Sequence, residues 1–273
     1  MLFRSNKEKG SKVRGHHTSQ GRQDAPRGEA RSILEKSLHK MTEIRELSDP
    51  IIRSKAGRSV IIPIGSLEQH GSHLPISTDS DIVTAIAKDV AKKCRFLVLP
   101  TIQYGVSFEH APFTNFSIKD KTLQNYLLDL CISLGQNKIN KIIILNGHHG
   151  NQNALKSISS KIAKITKNKT KVFVFSYWRF MDREFDHAGF VETSLMMAVS
   201  NKVNIKLAKK GLSTQNMSLQ QRQKISKLAS KNFVKATKNG IWGDPTIATK
   251  KDGQKIFAEI SINLVKTMSK LIH

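Results

Sequence analysis

Cysteine, aromatic residues and acidic side chains are all scarce in this chain of 273 residues. The two cysteines, Cys94 and Cys131, lack CxxC spacing and lie in apolar stretches. That excludes a disulfide scaffold and reads both as reduced core residues, the state expected in a cytoplasmic protein. Apolar runs reach only five or six residues, far below the ~20 needed to cross a bilayer, so no membrane span is expected. Aromatics make up 6% of the chain, and neither zinc-finger spacing nor an RNP-type aromatic strand is present, which disfavours nucleic acid as the main ligand. The strings GxxxxGKS/T, GxGxxG and GxSxG are missing too, which excludes a P-loop, a dinucleotide-binding turn and a serine nucleophile elbow. No internal repeat is visible.

Acidic residues number 21 against 45 lysines and arginines, a formal net charge of +24, and such a field attracts polyanions. The excess sits at the ends: residues 1–40 carry ten basic and four acidic groups, and Lys202 to Lys270 carry fifteen against three. The first 40 residues have almost no apolar periodicity before Ile33, so they are expected to form a disordered basic leader. Residues 41–273 are then the folded domain, with the working part expected between 59 and 200. Glu8, Asp24 and Glu29, and the lack of an apolar face, disfavour an organelle transit peptide in the leader.

From Ser59 the pattern becomes regular. Branched apolar runs at Val60–Ile64, Phe96–Leu99, Lys141–Leu145 and Val172–Phe175 read as buried strands. Between them Ile82, Ile86 and Val90 recur at helical spacing, as do Leu123, Leu127, Leu130 and Leu134, and then Leu155, Ile158, Ile162 and Ile165. Ser194–Val199 reads as the start of a buried helix, Leu219–Val234 as a surface helix, and Ile256, Ile260, Leu264 and Met268 as the stripe of a C-terminal one. The alternation predicts an α/β fold with a mainly parallel sheet flanked by helices.

Ligands of such sheets bind beyond the carboxyl ends of the strands, so the residues after each strand carry the information. Glu68 and His70 follow the first strand two residues apart, on the same side of an extended segment. Their N and O donors suit zinc, manganese or iron rather than calcium. Asp79 and Asp81 stand at the start of the next helix, where either acid is a candidate N-cap and Asp79 also a candidate ligand. His148 and His149 follow the third strand, flanked by Gly147 and Gly150, and Asp186, His187 and Glu192 come after the fourth. Three strand ends thus deliver imidazole and carboxylate to one rim.

The segments PIGSLEQHGSHLPISTD, YGVSFEH, LNGHHGN and HAGFVETS, in this order between Ser59 and Leu195, resemble the creatininase family of metal-dependent amidohydrolases, with a weaker echo at Gly240–Thr249. The resemblance implies a three-layer creatininase-like fold and a site for two divalent ions, zinc with manganese or iron, that hydrolyses C–N bonds of small non-peptide amides. Carried over by motif, it makes Glu68, His70, Asp79 and His148 metal ligands with Asp79 bridging, and His187 the proton shuttle. Creatinine-cleaving members have a glutamate where this chain has Gly150, so Glu192 becomes the candidate that completes the second site and also serves in catalysis. Glu109, His110 and Trp178 are the candidate substrate-binding residues.

The loop Tyr104–Phe113 resembles that of members deformylating a ribosylaminopyrimidine phosphate in riboflavin and deazaflavin synthesis, and the basic charge fits a phosphorylated substrate. A formamide hydrolase is therefore the expected activity, with creatinine hydrolysis or peptide trimming as alternatives inside the family. Relatives often read Phe-Pro-Gly-Thr where this chain has Phe113-Thr114-Asn115-Phe116, a departure at the pocket floor. Outside the family, the alternative is a metal-free binding protein with nucleic-acid-binding ends. A homo-oligomer, commonly a hexamer, is also implied by the resemblance.

Overall fold

Residues 42–272 are described by the structure, a computed structural model; the expected leader over residues 1–40 lies outside them. Four strands, β1 (Val60–Ile64), β2 (Leu97–Val98), β3 (Lys141–Asn146) and β4 (Lys171–Ser176), form one parallel sheet in the order β2-β1-β3-β4. They occupy the apolar runs read from the sequence, with β2 shortened to two residues. Ile64, Asn146 and Ser176 stand opposite one another in the register, so β1, β3 and β4 end level and the segments that follow start from one rim.

The pleat sends alternate residues to opposite faces. Ile61, Ile143 and Leu145 pack on one face with α2 (Thr78–Cys94), α6 (Phe190–Val199) and α9 (Lys250–Ile272). Val60, Ile62, Ile64, Ile142 and Ile144 pack on the other with α3 (Asp120–Gln136) and α5 (Ile158–Ile165), beside the short α1 (Asp49–Ser54). Each such side chain, fully removed from water, contributes roughly 1.5–3 kcal/mol before the entropy of ordering is counted. Sheet and two helical layers make the three-layer α/β fold expected.

Two helical readings are corrected. The stripe from Leu155 to Ile165 is broken into α4 (Gln152–Leu155) and α5, because the Gln124 amide reaches over from α3 and donates to Ala154 O and Ser157 Oγ, both at 3.1 Å. The surface helix read over Leu219–Val234 ends as α7 (Leu219–Ala229), and α8 (Phe233–Thr237) starts anew where the Asn232 side chain accepts from Lys235 N at 2.7 Å. Phe233 is consequently buried.

From β1 the chain crosses to β2 on one side, then returns to place β3 on the other. The crevice between the ends of β1 and β3 is thus a topological switch point, the place where open sheets hold ligands. Among the described residues no helix is long and apolar enough to cross a membrane.

Candidate metal centre

Glu68 and His70 enter that crevice from the segment after β1, Asp79 from the first turn of α2, His148 from the turn after β3, and Glu192 from the first turn of α6. All five are at most 4% exposed. His70 Nε2 lies 3.2 Å from Asp79 Oδ1 and 3.4 Å from Glu192 Oε2, while His148 Nδ1 is 3.0 Å from Asp79 Oδ2 and His148 Nε2 is 3.3 Å from Glu68 Oε2. The donors fall into two triads that share Asp79: Glu68, Asp79 and His148, and His70, Asp79 and Glu192, each with its donor atoms within 4.8 Å of one another.

Hydrogen bonding does not explain this convergence. Both Glu68 oxygens, His70 Nε2, Asp79 Oδ2 and Glu192 Oε1 are buried without an aligned hydrogen-bond partner, although ion-pair contacts surround them. Donors around a tetrahedral zinc with bonds of ~2.05 Å stand about 3.3 Å apart, the spacing seen here. The outer ring nitrogens are accounted for: His70 Nδ1 donates to Glu68 O at 3.0 Å and His148 Nε2 to Val106 O at 2.9 Å. These backbone bonds orient the rings and leave His70 Nε2 and His148 Nδ1 as the atoms that face the carboxylates and could take a cation. The residues present therefore fit two divalent cations.

The protons of the cluster say the same. Burial alone would lower the His70 pKa, but Asp79 and Glu192 beside it push it up to about 10. His148 is likewise pushed up to about 10, against burial, by Glu68 and Asp79. Burial raises Glu192 to about 8 despite the attraction of His70. Protons here take the role of a cation among three carboxylates.

Gly150 leaves no room for the glutamate that the resemblance implies at this position. A Cβ on it would lie 2.1 Å from Val106 O and 2.5 Å from His148 Nε2, because the Val106 loop closes on the imidazole it orients. Glu192 stands in the second triad instead. The expectation that Asp79 or Asp81 caps α2 is not met: Asp79 turns into the cluster, and Asp81 accepts from Ser77 Oγ at 2.9 Å and Lys202 Nζ at 3.0 Å.

His187 is held by paired backbone bonds with Trp242, 3.1 and 2.8 Å, which gives the Gly240–Thr249 echo its place in the site. Its Nε2 donates to Gln69 O at 3.1 Å, and Nδ1 faces Glu68 Oε1 at 3.9 Å. Burial and the neighbouring imidazoles hold its pKa well below the ordinary value, so His187 is neutral, with Nδ1 open to a proton. It also groups with Glu68 and His70. His110 is no loop surface residue: it is buried, with Nε2 3.1 Å from Glu68 Oε1 and Nδ1 accepting from Gln69 Nε2 at 2.9 Å.

The donors open into a cavity of 340 Å³ whose lining also includes Glu109, His110, His149, Trp178, Phe185 and His187. Thus all the candidate ligand, catalytic and substrate-binding residues named from the sequence except His70 line one space. Trp178 stacks on Phe185 at 4.7 Å between centroids, and Phe233 lies 4.6 Å from His110 and 6.4 Å from Trp242. Phe233, Trp242, Ser226 and Ser230 come from the basic C-terminal third, outside the region expected to do the work. Asp186, which the sequence places on this rim without a role, accepts from Val191 N at 2.8 Å and Glu192 N at 3.3 Å, fixing the first turn of α6. An acid shortly before a helix was the available signal; for Phe233 and Gln69 there was none.

Residues 45–268 match the creatininase family, described as creatinine amidohydrolase. The chain is 30% identical over 228 residues to a mycofactocin precursor peptide peptidase of Mycobacterium ulcerans, covering 78% of this chain and 85% of the relative. It is 35% identical over 164 residues, 58% of this chain and 67% of the relative, to a 2-amino-5-formylamino-6-ribosylaminopyrimidin-4(3H)-one 5'-monophosphate deformylase of Methanococcus maripaludis. The fold superposes on a crystal structure of creatinine amidohydrolase with a TM-score of 0.72 at 21% identity, over 85% of this chain and 98% of the other; similar structures include Zn-Zn and manganese forms. With more than half its length matched by the family and its motifs gathered at one crevice, the chain belongs to the creatininase family of hydrolases.

Proposed function

We propose that the protein is a two-metal amidohydrolase that cleaves the C–N bond of a small amide carried by a flat ring, with a ring-borne formamide as the best-fitting substrate. The observation that carries this reading is the pair of donor triads sharing Asp79 and opening into an aromatic-walled cavity. Glu68 and His148 on one side, His70 and Glu192 on the other, and Asp79 between them would hold the ions, and the mixed N and O donors suit zinc, manganese or iron. When bound, such ions supply Lewis acidity, polarising a carbonyl and making water acidic enough to react near neutral pH.

The chain's own residues do the rest. Neutral His187 accepts a proton at Nδ1 from the attacking water and returns it to the leaving nitrogen, while Nε2 stays bonded to Gln69 O. His110, its tautomer set by Gln69, holds Glu68 in place. Trp178 and Phe233 offer flat apolar faces and exclude bulk water. Among the described residues no lysine or arginine lines the cavity, which favours an uncharged substrate portion there and leaves the phosphate expected from the charge balance without a lysine or arginine partner inside it. Glu192 in the second triad supports the enzyme reading over a metal-free relic despite Gly150. The exposed aromatics Tyr104, Phe108, Phe116 and Tyr126, of which Tyr104 and Tyr126 line one cleft, support the self-association expected of the family.

The test is metal quantification followed by turnover on an aryl formamide, creatinine and a short peptide. Two ions per chain with formate release supports the proposal. Peptide cleavage without formate release would replace the substrate class, and two bound ions with no hydrolysis of any of the three would sink the reading.

A further inference from the structure

Behind the turn that carries Trp178 lies a second and larger cleft, of 760 Å³, lined by the ends of β3 and β4, by α4 and the start of α5, and by Lys156, Arg179 and Phe180. Its chemistry is the reverse of the metal cavity's. Among the described residues no carboxylate lines it, and two cations do. Neither Lys156 nor Arg179 forms an ion pair with a described residue, as holds for most cations of a chain with 45 basic against 21 acidic residues, so both charges are open to a ligand. Amides and hydroxyls from Gln152, Asn153, Ser159 and Ser176 add hydrogen-bonding capacity, and Leu155, Val174, Phe175 and Phe180 give an apolar floor. A cationic rim with neutral donors and an apolar floor matches an anionic head on an apolar body, because charge-assisted hydrogen bonds to a phosphate or carboxylate are roughly twice as strong as neutral ones.

The cleft also touches the centre from behind. Asn146 Oδ1 accepts from His148 N at 3.1 Å, and its Nδ2 donates to buried Ser176 Oγ at 3.3 Å. Tyr177–Phe180 is one short turn in which Trp178 faces the metal cavity and Arg179 and Phe180 face the cleft.

We propose that this cleft is a separate binding site for an organic anion, a phosphate monoester or carboxylate with an apolar body. It goes beyond the reaction proposed above and does not depend on it, since its test reads binding and not turnover. Metal-loaded protein is titrated calorimetrically with inorganic phosphate, phenyl phosphate and benzoate, in parallel with the variants Lys156→Gln/Arg179→Gln and Lys167→Gln/Lys169→Gln. The second pair removes the same charge from exposed positions outside the cleft. Phenyl phosphate or benzoate is expected to bind more tightly than inorganic phosphate, to weaken at least tenfold in the first variant and to be unchanged in the second; whichever binds more tightly identifies the head group. Equal binding in wild type and the first variant, or equal weakening in both variants, would overturn the site and leave only the metals or the diffuse surface charge as the anion's partner.

Discussion

His70 and His148 each commit one ring nitrogen to a backbone carbonyl and present the other to carboxylates. Their pKa values of about 10 lie above the ordinary imidazole value of ~6.5. In the metal-free protein their stabilising charge is therefore fully present below about pH 6.5 and is lost as pH rises toward 10. Glu192, raised from its ordinary value of 4.5 to about 8, keeps a proton at neutral pH, and the metal-free fold loses stability through it as pH rises from about 4.5 to 8, with no further change above that. Loading zinc at pH 7 should thus release about two or more protons per chain, because ligands must deprotonate to bind; calorimetry in buffers of different ionisation enthalpy measures this, and release near zero would show the imidazoles already neutral. His187→Ala should retain both ions while kcat falls by roughly 10² to 10⁴, the usual worth of a general acid–base group. Loss of one ion instead would make His187 a ligand.

The elements that matter most are those whose ends are tied down. The first turn of α6 has glycine at its N-cap and no cap from that residue, so Asp186 supplies the acceptor from outside, and Gly189 is needed because a Cβ there would lie 2.3 Å from Asp186 Oδ2 and 2.6 Å from Trp242 O. Removing the acceptor in Asp186→Ala should destabilise the protein by about 1–2 kcal/mol, as for loss of a helix cap. Because Glu192 rides on that turn, one of the two metal-binding events should weaken more than the other. Thermal unfolding and metal titration of the same variant test both halves. Equal weakening of the two events would separate Asp186 from Glu192. Such a cap is hard to read from sequence, since it acts across a loop that includes Ala188 at φ +51°, and no local pattern announces that path.

At the scale of the whole molecule, metal binding and folding are linked, because the donors come from segments as distant as Glu68 and Glu192 and meet only in the folded chain. Free metal at 100 times its Kd adds about 2.7 kcal/mol of stability, so chelation should lower Tm by several degrees; calorimetry with and without chelator reads the shift, and an unchanged Tm would mean that no cation was bound. The sheet was legible in the residue order alone, since branched apolar runs of strand length alternating with helical stripes have few other ways to bury themselves. That order also placed Glu68, His70, Asp79, His148 and Glu192 near strand or helix ends, because those positions are local. Long-range packing was needed to turn Asp79 inward instead of capping α2, to fill the space beside Gly150 with the Val106 loop, and to wall the cavity with Phe233 and Trp242. Each of these depends on which distant segment packs against which, and burial between segments far apart in the chain leaves no periodicity in the residues it brings together.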